Sequence, residues 1–258
     1  MKPATELKQN DLAVLIVGDP GSRKTTLALQ LPRPYLFDAD RNMSAPMTFL
    51  SKSQPDLPKH VLFNYATEDD DGKPIERKDR YAWMIKCFNQ AAQSPDVDTI
   101  IGDSLTAIME VIIFECKRQA NPSFTEDMLD KFSMRIQDWG TFGGLTMRMI
   151  MGLRASGKNV AFTAHNKVEK DEADGRYKFF INYPGQSATT IPGLFTDVLN
   201  PYPKITGIGA AQTHEWMVRC LPNNDVDHRG MKSSMGLKVV EKYEDVLKKL
   251  QTYKPKKA

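Results

Sequence analysis

The chain has few cysteines, and those it has are far apart. Cys87, Cys116 and Cys220 are the three cysteines among 258 residues. Their odd number argues against a disulfide framework, and their spacing does not match the ligand pattern of a structural zinc site. Such isolated thiols are typical of buried, reduced cysteines in a cytosolic protein.

Long hydrophobic runs and a strong excess of one charge are also missing. No apolar run approaches the length of a membrane span, and residues 1–6 lack the apolar core of a signal peptide. We therefore expect a cytoplasmic protein without a membrane partner. The net charge of +3 is close to neutral, so it permits nucleic-acid binding without indicating it.

One stretch of the chain points to a ligand. Residues 18–25 differ at one position from the phosphate-binding pattern G-x-x-x-x-G-K-[ST], and they lie between a strand-like run and a helix-like run, as that motif requires. Lys24 would reach the β- and γ-phosphates, and the Thr25 hydroxyl would bind Mg²⁺. The predicted cofactors are ATP and Mg²⁺. The predicted nucleotide-binding residues are Gly18, Asp19, Pro20, Gly21, Ser22, Arg23, Lys24, Thr25 and Thr26.

The departure from this pattern is Arg23, which stands where the second glycine belongs. That glycine normally lets the backbone approach phosphate with no Cβ in the way. Arg23 therefore leaves two interpretations open. It weakens hydrolysis while nucleotide still binds, or it turns outward and contacts DNA or a neighbouring subunit.

Apolar β-rich runs alternate with helical stretches along the chain, which predicts an α/β fold. We expect a mostly parallel, twisted sheet flanked by helices, with a C-terminal β-rich extension. Three glycines at 140, 143 and 144 predict a bend or break in the longest helix. The predicted strands are 12–17, 35–37, 61–65, 98–104, 159–165, 194–199 and 214–220, and the predicted helices are 25–31, 79–93, 105–119, 125–156 and 241–251.

Two acidic residues end predicted strands and are candidates for the chemistry of a nucleotide site. Asp103 follows the apolar pair Ile100-Ile101 and would hold Mg²⁺ as the second acid of a phosphate-loop enzyme, with capping of the next helix as the alternative. Asp40 would orient the attacking water, because the carboxyl ends of neighbouring parallel strands meet at the nucleotide crevice. Asp38 is either structural or shares that work.

A polar residue also ends the next predicted strand. His165, with Asn166 beside it, is placed to sense the γ-phosphate. The predicted catalytic residues are therefore Lys24, Asp40 and His165, and the predicted metal ligands are Thr25 and Asp103. A hydrogen-bonded structural histidine is the alternative at position 165.

These segments resemble a known family. GDPGSRKTTLALQ, YLFDAD, TIIGDS and NVAFTAHNK look, in order and spacing, like the ATPase core of RecA-like recombinases, and within it like the short phage-encoded proteins of single-strand annealing and recombination. The resemblance covers roughly residues 10–220. It implies a RecA-like P-loop NTPase domain over 11–240, an N-terminal extension at 1–10, a C-terminal helix and basic tail at 241–258, and the host cytoplasm as the location of a phage-encoded protein.

The resemblance also implies roles for single residues. Asp40 falls where the family carries a glutamate that activates water, and His165 falls where a polar residue couples the γ-phosphate to a DNA-binding loop. That loop follows position 165, and its basic and aromatic residues suit single-stranded DNA. The acids Asp171, Glu172 and Asp174 leave open a hairpin that packs on the domain. The implied DNA-binding residues are Lys167, Arg176, Lys178, Phe179, Phe180 and Tyr183.

RecA-like enzymes complete their sites from a neighbouring subunit, so the resemblance implies self-association into a ring or filament. A basic residue would then act in trans on the transferring phosphoryl group. Arg219, Arg229, Lys232 and Lys238 lie in the expected region, and we favour Arg229 and Lys232 because Gly230 suits a projecting turn. A single-strand-binding protein is a further candidate partner.

Three functions are compatible with the sequence. The leading hypothesis is an ATP-hydrolysing RecA-like protein that acts on single-stranded DNA in recombination or annealing. A helicase or motor with the same core would normally carry further domains, for which 258 residues leave little room. A non-hydrolysing nucleotide-binding module that regulates or assembles is favoured by Arg23.

Overall fold

The computed structural model describes residues 12–170, 177–184, 190–207, 212–220 and 233–252. In chain order its strands are β1 (Ala13–Gly18), β2 (Pro34–Asp38), β3 (Leu62–Tyr65), β4 (Thr99–Asp103), β5 (Asn159–Lys170), β6 (Tyr177–Ile181), β7 (Asp197–Thr206), β8 (Thr213–Arg219) and β9 (Val240–Lys242). The helices are α1 (Lys24–Ala28), α2 (Ser44–Ser53), α3 (Arg80–Gln93), α4 (Leu105–Ala120), α5 (Glu126–Lys131), α6 (Ile136–Ala155) and α7 (Tyr243–Thr252).

The strands form a mostly parallel sheet in the order β3-β2-β4-β5-β1-β7-β8-β9. The pairs from β3 through β7 are parallel, whereas β8 and β9 add antiparallel strands at one edge. The far half of β5 leaves the sheet and forms an antiparallel hairpin with β6. The predicted α/β class and the β-rich C-terminal extension are therefore confirmed.

Helices cover both faces of the sheet, and β1 shows why. Successive side chains of a strand point to opposite faces. Ala13, Leu15 and Val17 pack with buried residues of α3, α4 and α6, whereas Val14 and Ile16 pack with buried residues of α1, α2 and α7. A continuous apolar run is what a strand with both faces covered requires.

Most of the predicted strands and helices are confirmed, but α2, β6 and β9 were not predicted, and the strand predicted over 194–199 is β7, which runs to Thr206. The helix predicted over 125–156 is two helices, and its break lies at 132–135 rather than at the glycines. The α6 helix runs unbroken through Gly140 and Gly144. Its start is defined by Asp138, which accepts hydrogen bonds from the backbone N–H and the guanidinium of Arg135. This local capping decides where the new helix begins.

The register of the sheet brings the predicted site residues together on the carboxyl-terminal side of the parallel strands. Asp38 pairs with Asp103 across β2 and β4, and Gly18 pairs with His165 across β1 and β5. Gly102 permits close packing at this point, because a Cβ there would lie 2.4 Å from Cε1 of Phe162. Parallel strands thus place the ends of β1, β2, β4 and β5 beside one another.

The three cysteines agree with the expectation drawn from their spacing. Cys87, Cys116 and Cys220 are buried free thiols, as predicted. None of the helices in the described part of the chain combines the length and the apolar character that crossing a membrane would need.

Candidate functional site

The phosphate loop connects β1 to α1, and the side chain of its lysine, Lys24, binds back to the first residues of the loop. Lys24 Nζ donates hydrogen bonds to the carbonyl oxygens of Gly18 at 2.9 Å and of Asp19 at 2.8 Å. Lys24 is buried, and this burial lowers the pKa of its ammonium, while Asp103, Asp19 and Asp40 oppose that shift. The lysine is therefore a cation held at the base of the loop, where phosphate oxygens would bind.

Asp103 connects the loop to the sheet. The Thr25 hydroxyl donates a hydrogen bond to Asp103 Oδ2 at 2.9 Å, and the Thr163 hydroxyl donates one to Oδ1. Burial raises the pKa of Asp103 to about 6, and the two hydroxyls only partly offset that rise. A buried carboxylate beside a hydroxyl suits a cation such as Mg²⁺, which takes one or two protein ligands and the phosphates of a substrate.

The helix-capping alternative for Asp103 is settled by its neighbour. Ser104 is the N-cap residue of α4, and its hydroxyl accepts the backbone N–H of Ala107 at 3.2 Å. Because Ser104 satisfies the start of the helix, Asp103 does not cap it. The two adjacent polar residues have separate roles.

Asp38 and Asp40 also differ in their surroundings. Asp38 is fully buried and accepts the backbone N–H groups of Asn42 and Met43 at 3.2 and 3.0 Å, so it shapes the loop before α2. Burial raises the pKa of Asp38. Asp40 is partly exposed, and its Oδ2 lies 3.9 Å from His165 Nε2. Asp38 therefore has a structural role, whereas Asp40 lines the cavity.

His165 lies near Asp40, and its imidazole is influenced by the charge of Lys24. Burial is the main cause that lowers the pKa of its imidazole, and the Lys24 cation lowers it further. The ring is therefore neutral at neutral pH and can both donate and accept a hydrogen bond. Its Nδ1 is buried without a hydrogen-bond partner.

These residues enclose a cavity of about 270 Å³. The Ser22 hydroxyl is a second buried polar atom without a hydrogen-bond partner, and both it and His165 line the cavity. Unpartnered buried polar atoms normally find a ligand or water. The residues present therefore fit a triphosphate with Mg²⁺. Thr25 and Asp103 would hold the metal, and Lys24 and Ser22 would contact phosphate oxygens.

The cavity includes most of the residues predicted to bind nucleotide. Gly18 and Asp19 are exceptions, because their contribution is the pair of carbonyls that bind Lys24. The predicted residues that line the cavity are Pro20, Gly21, Ser22, Arg23, Lys24, Thr25, Thr26, Asp40, Asp103 and His165.

Arg23 adopts the left-handed conformation that glycine would adopt freely, with φ 63° and ψ 26°. This conformation costs a residue with a Cβ roughly 1–2 kcal/mol. Its guanidinium carbon lies 4.2 Å from the ring centroid of Trp216 and 4.7 Å from that of Phe49. The cationic end thus contacts two aromatic rings, and the backbone at position 23 has the left-handed conformation that glycine favours.

The residues predicted to bind DNA fall into three groups. Lys167 is exposed and pairs in register with Phe180, and Lys178 and Phe179 lie on the same hairpin, in β6, where only the backbone is described. Arg176 lies outside the described residues.

Tyr183 corrects the prediction. It is 6% exposed, packs on Phe142 and shares a 2.6 Å hydrogen bond with Thr146, so its ring is a core residue and is not available to stack on bases.

The preferred trans-acting residues, Arg229 and Lys232, also lie outside the described residues. Arg219 is described, and it donates a hydrogen bond to Asn200 and stacks over Tyr202 within its own subunit.

The structure adds two kinds of residue that the sequence did not predict. Thr163 could have been found, because it lies two positions before His165 and so faces the same side of β5. No pattern around Phe49 or Trp216 in the sequence indicates that these residues lie beside the phosphate loop.

Comparison with known proteins identifies the family. The AAA domain model AAA_24 matches residues 10–232. The chain belongs to this AAA domain family. A search of curated proteins finds no significant match to this AAA domain.

A solved structure also resembles this AAA domain. It is the crystal structure of the KaiC-like protein PH0186 from the hyperthermophilic archaeon Pyrococcus horikoshii OT3. The TM-score is 0.42 at 9% identity, over 81% of this chain and 77% of that chain. The family match identifies an AAA-type ATPase domain, and the sheet order agrees with the predicted α/β fold. The RecA-like assignment stays a prediction. The relation to phage annealing proteins stays a prediction.

The raised pKa of Asp103 predicts a stability effect in the nucleotide-free protein. A carboxyl whose pKa is higher in the folded state stabilises the fold at low pH and loses that contribution as pH rises, here between about pH 4 and pH 6. Asp103→Asn lacks this loss and retains partners for both hydroxyls. We expect its free energy of unfolding at pH 7.5 to exceed that of wild type by about 1–3 kcal/mol.

Urea unfolding of both proteins at pH 4, 5, 6 and 7.5 measures this difference. The advantage of Asp103→Asn should grow between pH 4 and 6 and stay constant above. A constant difference over the whole range, or a less stable variant at pH 7.5, would contradict the account.

Proposed function

We propose that this AAA domain hydrolyses ATP and acts on single-stranded DNA in annealing or recombination. The observation that carries the proposal is the course of β5. This strand holds His165 at the phosphate loop and continues without a break into the β5–β6 hairpin, where Lys167 lies two residues further on. One strand therefore links the nucleotide cavity to a segment rich in basic and aromatic residues.

The geometry supports in-line hydrolysis with Asp40 as the base. Asp40 would accept a proton from water as the water oxygen forms a bond to the γ-phosphorus. The bond from that phosphorus to the bridging oxygen breaks, and ADP leaves with the electron pair. Lys24 offsets the charge on the phosphate oxygens, and bound Mg²⁺ would supply further charge neutralisation beside Thr25 and Asp103.

His165 would connect this chemistry to the hairpin. Its Nε2 lies near Asp40, and its unpartnered Nδ1 is buried at the cavity. A neutral imidazole can donate a hydrogen bond to a γ-phosphate oxygen and lose that contact when phosphate leaves. Such a contact would favour one position of the hairpin while ATP is bound, as in other nucleotide switches. Self-association and a single-strand-binding partner belong to the same proposal.

A non-hydrolysing nucleotide-binding module is the second candidate. Arg23 favours it, because a Cβ occupies the position where the phosphate-loop pattern has glycine. The contacts of the guanidinium with Phe49 and Trp216 favour turnover instead, because they fix its position. The two candidates separate on whether purified protein converts ATP to ADP.

Asp40→Asn tests the assignment of the base. The amide cannot accept the proton from water, so we expect the rate of ATP hydrolysis to fall by about 10²–10⁴-fold while the Kd for Mg-ATP changes less than about threefold. Phosphate release measures the rate, and equilibrium titration measures binding. Asp38→Asn is not a suitable control because Asp38 holds the loop. Glu68→Gln, outside the cavity, should hydrolyse ATP at the wild-type rate. An Asp40→Asn variant with unchanged turnover would remove Asp40 from the mechanism.

DNA dependence of the ATPase tests the proposed function itself. We expect single-stranded oligonucleotides at low salt to raise the hydrolysis rate at least about threefold, and the double variant Lys167→Ala/Lys178→Ala to lose most of that rise, because salt-dependent contacts of cations with phosphates dominate such binding. The matched control is Lys59→Ala, an exposed lysine that precedes β3 at the opposite end of the strands. If oligonucleotides neither bind nor change the rate, with or without ATP, the DNA assignment fails.

A further inference from the structure

Arg23 is held at three points by elements that come from distant parts of the chain. Phe49 belongs to α2, Trp216 to β8, and Tyr243 to α7. Both rings contact the same guanidinium group, and the Tyr243 hydroxyl donates a hydrogen bond to the Arg23 carbonyl at 3.3 Å. Tyr243 also contacts the edge of Trp216, with ring centroids 6.4 Å apart.

These contacts stabilise a backbone conformation that is strained because residue 23 is arginine and not glycine. A non-glycine residue at φ 63° is strained, and the strain falls on the residue directly before Lys24 and Thr25. No carboxylate among the described residues forms an ion pair with Arg23. The interactions that hold the guanidinium are therefore its contacts with the two rings, which are favourable for a cation over Trp or Phe.

We propose that Phe49 and Trp216 are positioning residues for the phosphate loop and act through Arg23. They fix the position of the guanidinium beside the cavity, and their contacts offset the cost of the left-handed backbone at position 23. The consequence is that Mg-ATP affinity depends on two aromatic rings outside the motif. This inference rests on nucleotide binding at the loop and is independent of DNA binding.

The dependence predicts a specific pattern in a double-mutant cycle. In the chain with Arg23, Trp216→Leu should raise the Kd for Mg-ATP by about fivefold to tenfold, the factor that loss of one favourable cation–π contact gives. In the Arg23→Gly background the same Trp216→Leu change should alter the Kd by less than about twofold, because glycine needs no support at this φ. A ring that only stabilises the domain would give the same factor in both backgrounds.

Two further variants keep the test decisive. Trp216→Phe retains an aromatic face and should keep the Kd within about threefold of wild type. Trp216 packs against the hydrophobic cluster that includes buried residues of α1 and α7, so Trp216→Leu carries a risk of misfolding. Phe49→Leu is therefore measured in both backgrounds as well, because Phe49 is 43% exposed and its loss leaves the core intact.

Equilibrium titration of Mg-ATP into all the variants, with urea unfolding to confirm that each is folded, gives the result. Background-dependent factors for Phe49→Leu and Trp216→Leu support the proposal. Equal factors in both backgrounds overturn it. Binding that appears only after Arg23→Gly would show that Arg23 blocks the cradle and would also overturn it. Absence of binding in every variant would overturn both this proposal and the nucleotide site.

Discussion

The carboxylate of Asp103 is the interaction on which the site depends. It lies buried at the end of β4 and receives hydroxyl hydrogen bonds from Thr25 of α1 and Thr163 of β5. Three separate elements are thereby joined at one pair of oxygen atoms. The ionised form of this group is disfavoured by burial, so the nucleotide-free site holds an unfavourable charge that a bound cation would relieve. A site prepared in this way gains stability when Mg²⁺ and phosphates arrive.

Around this carboxylate the parallel sheet determines which residues meet. The register places Asp38 beside Asp103 and Gly18 beside His165, so the ends of four strands share one edge. The residues at this edge then have different roles, since Asp38 shapes a loop and Ser104 caps a helix, whereas Asp40 and His165 face the cavity. The neutral imidazole and the partly exposed carboxylate are the groups left available for chemistry.

Much of this arrangement could be predicted from the sequence, for identifiable reasons. The phosphate loop and Asp103 are signalled by a short motif and by apolar strand runs, which are local features. The division of the 125–156 helix was missed because a capping pair at Arg135 and Asp138 outweighs the low helix propensity of glycine. The contacts of Arg23 with Phe49 and Trp216 could not be predicted, since they arise from the packing of α2 and β8 near the loop.

Tyr183 is a second residue whose position could not be predicted from the sequence. Its sequence context suggests an aromatic residue of a DNA-binding loop, yet its ring lies in the core against Phe142. Composition cannot distinguish a ring that stacks on bases from one that packs on a helix, because both occur beside basic residues. Only the tertiary position of the segment decides.

The central claim is that residues 18–25 form a working site for Mg-ATP although arginine replaces glycine at position 23. Calorimetric titration of Mg-ATP into wild type and Lys24→Ala tests it most directly, with Lys59→Ala as the matched control for loss of a lysine outside the site. The account predicts saturable binding to wild type and Lys59→Ala and a Kd raised at least about tenfold in a folded Lys24→Ala, since the buried ammonium would contact the phosphates. Equal affinity of wild type and Lys24→Ala would contradict it.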